Sequence, residues 1–421
     1  FQTGDVMFNA KLHRIKGADV RFTSPEQVQK IVGLLKPASF WIGKAGQSVQ
    51  EQKPLPPFTT STLQQAASKA LGLSPQRTMQ LAQTLYEAGW ITYHRTDSVS
   101  VSPEIRATVQ ELIYREYGED YRPATSPTFT SRVQHTQDAH EAIRPTDVQR
   151  QPEAMQGDGA ELYALIWKRF IASQMTSARY SVTQLLILAG KQSNKPFPLA
   201  FKAQGRELIL DGFLRVYEEV TEDEEDDTQL AVLPYIKQGT SMNLIDLPIK
   251  QGQTQAPKRF TEAGLVQKLE ADGVGRPSTY ASMVEAIQGK GYVSKQKRYL
   301  VPTETGTGLC AYLIEQFPSV FDVGYTSQLE STLDDIASGN TTRIEALQDF
   351  WSVFQPQLKS ASEALVKLAP QPTGEICPDC GGDLLERRST HGVFIGCANY
   401  PTCTYTQQVD HKPIRLLPVE D

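Results

Sequence analysis

Tyr93 and Arg95 stand two residues apart in the run Gly89-Trp90-Ile91-Thr92-Tyr93-His94-Arg95-Thr96-Asp97-Ser98, which sets a phenol, a guanidinium and several short hydroxyl and carboxylate groups directly after a helical pattern. That grouping suits attack on a phosphodiester. Tyrosine is a weak nucleophile at its ordinary pKa of ~10, so it needs a cation that stabilises both the phenolate and the charge developing on phosphorus. Arg95 can supply that cation. In an extended chain Tyr93 and Arg95 point to one side of the backbone and His94 to the other. Taken alone, the two residues also fit a buried strand tyrosine beside a solvated arginine, which is the commoner case.

Two further groupings could hold a phosphate. In His140-Glu141-Ala142-Ile143-Arg144-Pro145 a helical turn would put His140 and Arg144 on one face before the proline interrupts it. The other reading is an ordinary surface feature. Gly275-Arg276-Pro277-Ser278-Thr279-Tyr280 opens a helix with Ser278 and Thr279 in its first turn and Arg276 just before. Unpaired N–H groups and the helix dipole favour an anion there, although an ordinary capped helix has the same sequence.

Four of the five cysteines lie close together. Cys377 and Cys380 are followed after sixteen residues by Cys397 and after five more by Cys403, a two-knuckle spacing that suits tetrahedral thiolate coordination of zinc. Disulfides are the alternative, and the lack of a secretory signal argues against them. Arg387, Arg388, Phe394, Tyr400 and Tyr405 interleave charge with aromatics, the mix that stacks on unpaired bases. Such rings can instead pack the core around the metal, which is the reading for Phe394. Cys310 reads as a small packed side chain in a helix.

These groups need elements to position them. A chain of 421 residues calls for about three or four units. With 39% hydrophobic and 21% charged residues it reads as globular, and no apolar stretch approaches the ~18 residues of a membrane span. It opens within strand-like sequence and without a signal peptide, as a piece of a longer protein would. The net charge of −6 hides a segregation: eight acids and no base lie in Glu218 to Asp227, leaving 40 acids against 42 bases elsewhere. Lys258 to Arg298 carries eight bases against four acids. The acidic run reads as a solvated loop.

Residues 1–53 alternate as strands around a helix begun by Ser24 and Pro25. Pro54 to Phe58 is a stiff connector, and Ser61-Thr-Leu-Gln64 reads as a capping box for a helix ending before Gly72. Ser74-Pro75 starts the next helix, which stops at Gly89, and helical patterning continues to about Ser177. Strand alternation then returns over 180–255. The expected division is a β-rich domain of 1–53 and 180–255 interrupted by a helical domain of 54–179, then a helical domain of 256–368 and a cysteine module with tail over 369–421. Leu71–Ile91 and Gly273–Val293 also echo one another, aligning Pro75 with Pro277, Gly89 with Gly291 and Trp90 with Tyr292. Both read as a helix-turn-helix with a following wing.

Together these segments resemble bacterial type IA DNA topoisomerase I. The resemblance rests on Pro57-Phe-Thr-Thr-Ser-Thr-Leu-Gln-Gln65, Ile91 to Ser98, His140 to Pro145, Gly275 to Tyr280 and the four-cysteine module, in the family's order over nearly the whole chain. It implies a multidomain α+β, toroidal core with a β-rich arch, two helical winged-helix-like domains and a C-terminal zinc module. It further implies passage of one DNA strand through a transient break in another, relaxing negative supercoils without ATP. Tyr93 then matches the nucleophile of a 5′-phosphotyrosine bond, Arg95 the residue steadying the scissile phosphate, and His140 the histidine that positions it. Arg144 matches a structural or DNA-contacting residue, and Arg276, Ser278 and Thr279 match a single-strand binding groove. Arg387, Tyr400 and Tyr405 would contact DNA from the zinc module, whose ligands are Cys377, Cys380, Cys397 and Cys403.

Two departures stand out. His94 is commonly methionine in the family, a difference expected to matter little because strand neighbours face opposite sides. The family's N-terminal Toprim domain, whose acids bind Mg²⁺ and assist cleavage, has no counterpart here, so this chain is expected to bind single-stranded DNA and to cleave poorly unless that domain is supplied. The implied partners are single-stranded and negatively supercoiled DNA, the implied state a cytoplasmic, nucleoid-associated monomer with no membrane contact. The competing reading is a non-catalytic winged-helix and zinc DNA-binding protein, which leaves the association of Arg95 and His140 with Tyr93 unexplained. A phospholipase-like or tyrosine-recombinase enzyme lacks its catalytic pattern here.

Overall fold

The computed structural model describes residues 1–130, 140–192, 195–220, 232–366, 371–389 and 392–408. Most of the acidic run lies outside them. The chain divides into two compact units, residues 1–73 with 80–257, and residues 74–79 with 258–421.

The first unit contains two hydrophobic cores. Its β-rich part starts with β1 (Gln2–Thr3), β2 (Val6–Met7), β3 (Lys11–Ile15) and β4 (Ala18–Asp19), followed by α1 (Pro25–Leu35) and the long β5 (Ser39–Gln52). Pro25 begins α1, its fixed φ matching the first helical position. Ser24 precedes it in extended geometry but makes no side-chain cap bond. Four helical segments come next: α2 (Thr60–Leu71), α3 (Pro75–Glu87), α4 (Pro103–Tyr117) and α5 (Ala160–Ser173). The chain then returns to strand in β6 (Ala178–Gln192), β7 (Lys195–Leu210) and β8 (Ser241–Met242).

Six strands form one sheet in the order β4-β3-β7-β6-β5-β8, every pairing antiparallel. The β5–β6 pairing runs from Ser39 with Gly190 to Gln52 with Ala178. The helical residues are therefore an insertion between two neighbouring strands. Alternation supplies the sheet's core face: Leu199, Phe201 and Ala203 of β7 are buried and meet Ile42, Leu185 and Ile187. Phe1 closes this core edge-on against Phe40 and Phe201, each at 5.3 Å. Where β7 leaves the sheet, Gly212 has φ +51°, and a Cβ there would sit 2.6 Å from the carbonyl oxygens of Thr176 and Ser177. Only glycine fits that crossing.

The helical core packs Leu63 of α2, Leu85 of α3, Ile113 of α4 and Phe170 of α5 around Phe58. Arg169, also buried, fastens the proline-rich connector to α5. Its Nε donates to the Pro56 carbonyl at 2.7 Å, and its guanidinium lies over the rings of Phe58 and Tyr217 at 4.9 and 5.2 Å. Three sequence expectations need correction. The capping box of α2 is Thr59 with Thr62, not Ser61 with Gln64: each threonine hydroxyl accepts the other's backbone N–H, while Ser61 is buried in the first turn. Helix does not continue to Ser177, because the described residues between α4 and α5 are irregular apart from two short 3-10 turns. His140 to Pro145 is not a helical turn either. Its backbone is spent on bridges, Ile143 to Phe58 and Pro145 to Ile91.

The second unit holds α6 (Glu262–Ala271), α7 (Tyr280–Gly289), a hairpin of β9 (Val293–Gln296) and β10 (Tyr299–Pro302), then α8 (Glu304–Gln316), α9 (Tyr325–Ala337) and α10 (Arg343–Val366). Its helical core is small, centred on Val266, Tyr280 and Val284. Cys310 is exposed on α8 rather than packed. The strands β11 (Gln371–Ile376), β12 (Asp383–Ser389), β13 (Gly392–Cys397) and β14 (Thr406–Gln408) form a separate antiparallel sheet in chain order.

The internal echo has a shared geometry. Gly89 and Gly291 adopt φ +71° and +69°. Beyond them, the N–H groups of Trp90 and Tyr292 return to the carbonyls of Leu85 and Ile287, both at 2.9 Å. The copies part afterwards: the second continues into the β9–β10 hairpin, the first into the single bridge of Ile91. The helix of the second copy starts at Tyr280, three residues after Pro277, because Thr279 Oγ1 accepts the Arg276 N–H at 2.9 Å and holds those residues in a turn.

Candidate nucleophile site and zinc centre

The segment carrying Tyr93 is clamped by backbone bonds on both sides. The N–H of Thr92 donates to the Arg144 carbonyl at 2.9 Å, and the Arg144 N–H donates to Thr92 Oγ1 at 3.0 Å. Thr146 adds bonds to the carbonyls of Trp90 and Gly89. From α2, Thr60 Oγ1 donates to the carbonyl oxygens of His94 and Thr96 at 2.8 and 3.1 Å and accepts the Thr96 N–H at 2.9 Å. The chain between these clamps alternates in exposure: Tyr93 and Arg95 are exposed, His94 and Thr96 buried.

Thr60 was quoted in the sequence only as part of a motif, yet it is the residue joining α2 to the tyrosine segment. Thr60→Val keeps the shape but strips a partner from the buried His94 carbonyl and Thr96 N–H. It is expected to cost about 3 kcal/mol of unfolding free energy, read from the midpoint of a urea titration. An unchanged midpoint would show that the clamp adds nothing.

Tyr93 is 41% exposed, and its ring centroid lies 5.9 Å from that of His140. The structure thus brings His140 to Tyr93. Arg144 is held elsewhere: its Nη2 donates to Glu141 Oε2 at 2.6 Å and its Nη1 to the Pro145 carbonyl at 2.9 Å, leaving the side chain 11% exposed. It braces the segment from within. Glu141 in turn accepts the Ser102 N–H at 2.7 Å, joining this segment to the start of α4.

His94 faces inward, as strand alternation predicts, yet its ring is not remote from Tyr93. Its ring is 1% exposed and packs on Tyr93 itself at 5.3 Å and on Tyr86 of α3 at 5.6 Å. Burial, aided by the Arg95 cation and opposed by Glu87, lowers its pKa from 6.5 to about 4. An unfolded chain binds that proton near 6.5, whereas the folded one resists it until about 4, so stability falls as pH drops through this window. The loss amounts to about 3 kcal/mol. His94→Met should remove that part of the acid-side decline, measured as unfolding free energy against pH.

Within the second unit, Arg276 is tied by Nη2 to Glu330 Oε2 of α9 at 3.2 Å, while Ser278 is exposed and Thr279 half-buried. Lys290, at the C-terminal cap of α7, and Lys297, in the turn between β9 and β10, are exposed.

The four cysteine sulfurs Cys377, Cys380, Cys397 and Cys403 lie within 4.8 Å of one another, with Cys380 to Cys397 at 3.4 Å and Cys377 to Cys403 at 3.7 Å. Tetrahedral zinc with Zn–S bonds near ~2.3 Å requires sulfur separations of about 3.8 Å, so the donor set fits. The Gly382 backbone, then Cys397 and Asn399, lower the Cys380 thiol to about 7. Asn399, absent from the sequence reading, donates from Nδ2 to Cys380 and from its backbone to Cys397, at 3.5 and 3.4 Å. Gly382 makes room for it, since a Cβ there would come within 2.5 Å of that amide nitrogen. Asn399→Ala is expected to weaken zinc binding about tenfold in a chelator competition.

Tyr405, not Phe394, packs on the cysteine core with Ile395. The strand register explains this: Phe394 faces Arg387 across β12–β13, on the opposite face from Ile395. Arg387 donates to the Cys397 carbonyl at 3.2 Å and lies 5.8 Å from the ring of Tyr400, which is 64% exposed. The Arg388 side chain lies outside the described residues.

An exposed, braced tyrosine beside a histidine, on a helical insert within a long antiparallel sheet, together with a four-cysteine ribbon, defines the class of type IA topoisomerase cores. Residues 4–348 match the family described as DNA topoisomerase, and residues 374–412 match the topoisomerase DNA binding C4 zinc finger. The chain belongs to the type IA DNA topoisomerase family, and its four cysteines form that family's zinc site. It is 35% identical over 403 residues to DNA topoisomerase 1 of Campylobacter jejuni, covering 92% of this chain and 55% of that protein. It is 37% identical over 410 residues to DNA topoisomerase 1 of Pseudomonas aeruginosa, covering 93% and 46%. The full-length topoisomerase I of Thermotoga maritima superposes with TM-score 0.65 at 29% identity, over 95% of this chain and 64% of that one. The chain spans about half the length of the first two relatives. Among the described residues no helix is long and apolar enough to cross a membrane.

Proposed function

We propose that Tyr93 is the nucleophile of a type IA strand-passage reaction. The phenol oxygen attacks a DNA phosphorus, a 5′-phosphotyrosine bond forms, the 3′-oxygen leaves with a proton, and a second strand passes before the reverse step reseals the break. Arg95 stabilises charge on the phosphate and His140 positions it. Bond energy is conserved in the phosphotyrosine, so negative supercoils are relaxed without ATP. The single observation carrying this reading is the exposed Tyr93 ring beside His140 on a segment clamped from both sides. Its support is that a large aromatic stays 41% exposed while His94, next to it in the chain, is buried. The winged-helix regulator reading gives no reason for that arrangement.

The partner is DNA, and single-stranded in preference to duplex. Ser278 and Thr279 with Arg276 offer backbone contacts, and Tyr400, Tyr405 and Arg387 offer stacking and charge, Tyr405 only at its exposed edge. Mg²⁺ belongs to a Toprim domain acting with this chain in a monomeric, nucleoid-associated enzyme. The domain division proposed is 1–53 with 180–255, 54–179, 256–368 and 369–421. The test incubates the chain with an end-labelled single-stranded oligonucleotide and magnesium, with and without a Toprim domain, then denatures and digests the products. A labelled peptide containing Tyr93 is expected. Label on another residue, or preference for a defined duplex sequence, would reject the reading.

A further inference from the structure

Tyr93, His94 and Tyr86 form a closed triangle of rings. The centroids of Tyr86 and Tyr93 are 5.3 Å apart at 70°, those of Tyr93 and His94 5.3 Å at 66°, and those of Tyr86 and His94 5.6 Å at 46°. His94 is the buried corner, 1% exposed, and neither ring nitrogen has a hydrogen-bond partner among the described residues. Its backbone is pinned separately by the hydroxyl of Thr60. A side chain fixed at its root and enclosed at its ring has little freedom, and a phenol packed edge-on against it inherits that constraint.

We propose that His94, as a neutral ring wedged beside Tyr86, is a positioning residue that sets the angle of the Tyr93 phenol. The proposal rests on the reading of Tyr93 as nucleophile. A reacting atom displaced by about an ångström can lose roughly a hundredfold in rate, so a ring that fixes orientation governs the reaction without touching DNA. The groups facing His94 are Tyr86 and Glu87 from α3, Tyr93 and Arg95 from its own segment, and Thr60 from α2 through the His94 carbonyl. Only Glu87 favours a charged imidazole; burial and Arg95 oppose it. Protonation would give the ring two N–H donors and no acceptor, so the imidazolium must leave its enclosure and Tyr93 loses its wedge.

The experiment follows the chain with fluorotyrosine and ¹³C-labelled histidine by NMR across pH, without DNA. His94 should titrate near about 4, and the Tyr93 fluorine signal should shift with the same midpoint. His94→Met should remove the part of that shift that follows the His94 midpoint, leaving whatever His140, 5.9 Å from the Tyr93 ring, contributes, and His94→Ala should shift or broaden the signal at neutral pH. A His94 midpoint near 6.5, or a Tyr93 signal indifferent to both substitutions, overturns the proposal. In adduct assays with the Toprim domain supplied, His94→Ala should slow adduct formation roughly tenfold or more with unchanged oligonucleotide affinity, and His94→Met should restore it. An adduct that depends on Tyr93 but forms at the wild-type rate in His94→Ala rejects the wedge and leaves the nucleophile reading standing. An adduct that survives Tyr93→Phe rejects the nucleophile reading, while the NMR result still decides whether His94 orients the ring.

Discussion

Tyr93→Phe is expected to lower covalent adduct formation by about 10⁴-fold or more, the scale on which covalent catalysis fails when its nucleophile is deleted. The ring survives in the substitution, so its packing against Tyr86, His94 and His140 is kept and only the hydroxyl is lost. With the side chain 41% exposed, that hydroxyl contributes little to folding, and unfolding free energy should change by no more than about 0.5 kcal/mol. Affinity for a single-stranded oligonucleotide should stay within about threefold, because binding draws on many phosphate and base contacts. The separation of chemistry from binding and stability is the diagnostic feature. Arg95→Ala should fall between, costing about 10²- to 10³-fold in adduct rate through lost charge stabilisation, and Arg95→Lys should recover only part because an ammonium lacks the planar fork. Gel quantitation of the denatured adduct measures all three, and equal activity of Tyr93→Phe and wild type would end the assignment.

Stripping zinc, or substituting Cys397→Ser, is expected to unfold residues 371–408 while the first unit stays folded. The module has little else to hold it. Among the described residues its hydrophobic cluster has Cys377, Leu384 and Cys397 buried, with Ile395, Cys403 and Tyr405 packed against them, and two of the three, Cys377 and Cys397, are themselves ligands. Segments below about 40 residues rarely fold on apolar burial alone. Structural zinc contributes about 10–16 kcal/mol of apparent binding energy, and for such a module that is its folding energy. Hydrogen exchange before and after chelation should show the strand amides of β12 and β13, Glu386 and Ile395 among them, losing their protection, whereas those of Val182 and Leu185 in β6 keep theirs. Protection at Ile395 that survives metal removal would mean that the sheet folds without zinc. Single-strand affinity should fall as well, with a shallower salt dependence, as the charge of Arg387 loses its fixed place.

Local rules made part of this structure legible. Pro75 and Gly89 bound α3, Gly72 ends α2 in the left-handed region, and the cysteine spacing collects four sulfurs, because caps and knuckles are settled among residues a few positions apart. The same rules misplaced the α2 cap, since Ser61 with Gln64 fits the capping-box pattern whereas the residues that close the box, Thr59 and Thr62, do not, and the fold buries Ser61 inside the first turn. They also made a helix of His140 to Pro145, a segment whose fate is fixed by strand-like bridges to Phe58 and Ile91, far away in the chain. Nothing in the sequence singles out Tyr86 of α3 or signals that its ring meets His94 and Tyr93.

By itself, then, the sequence determined the chemical inventory: a phenol with a guanidinium two places on, an imidazole in a second motif, a thiolate set, and the proline and glycine that bound α3. Tertiary structure alone decided which groups meet. The brace from Thr60 to the His94 carbonyl and the bond between Thr92 and Arg144 join segments 34 and 52 residues apart. Side-chain periodicity carries no record of such distances, because it fixes the face on which a residue lies and not what is packed against that face.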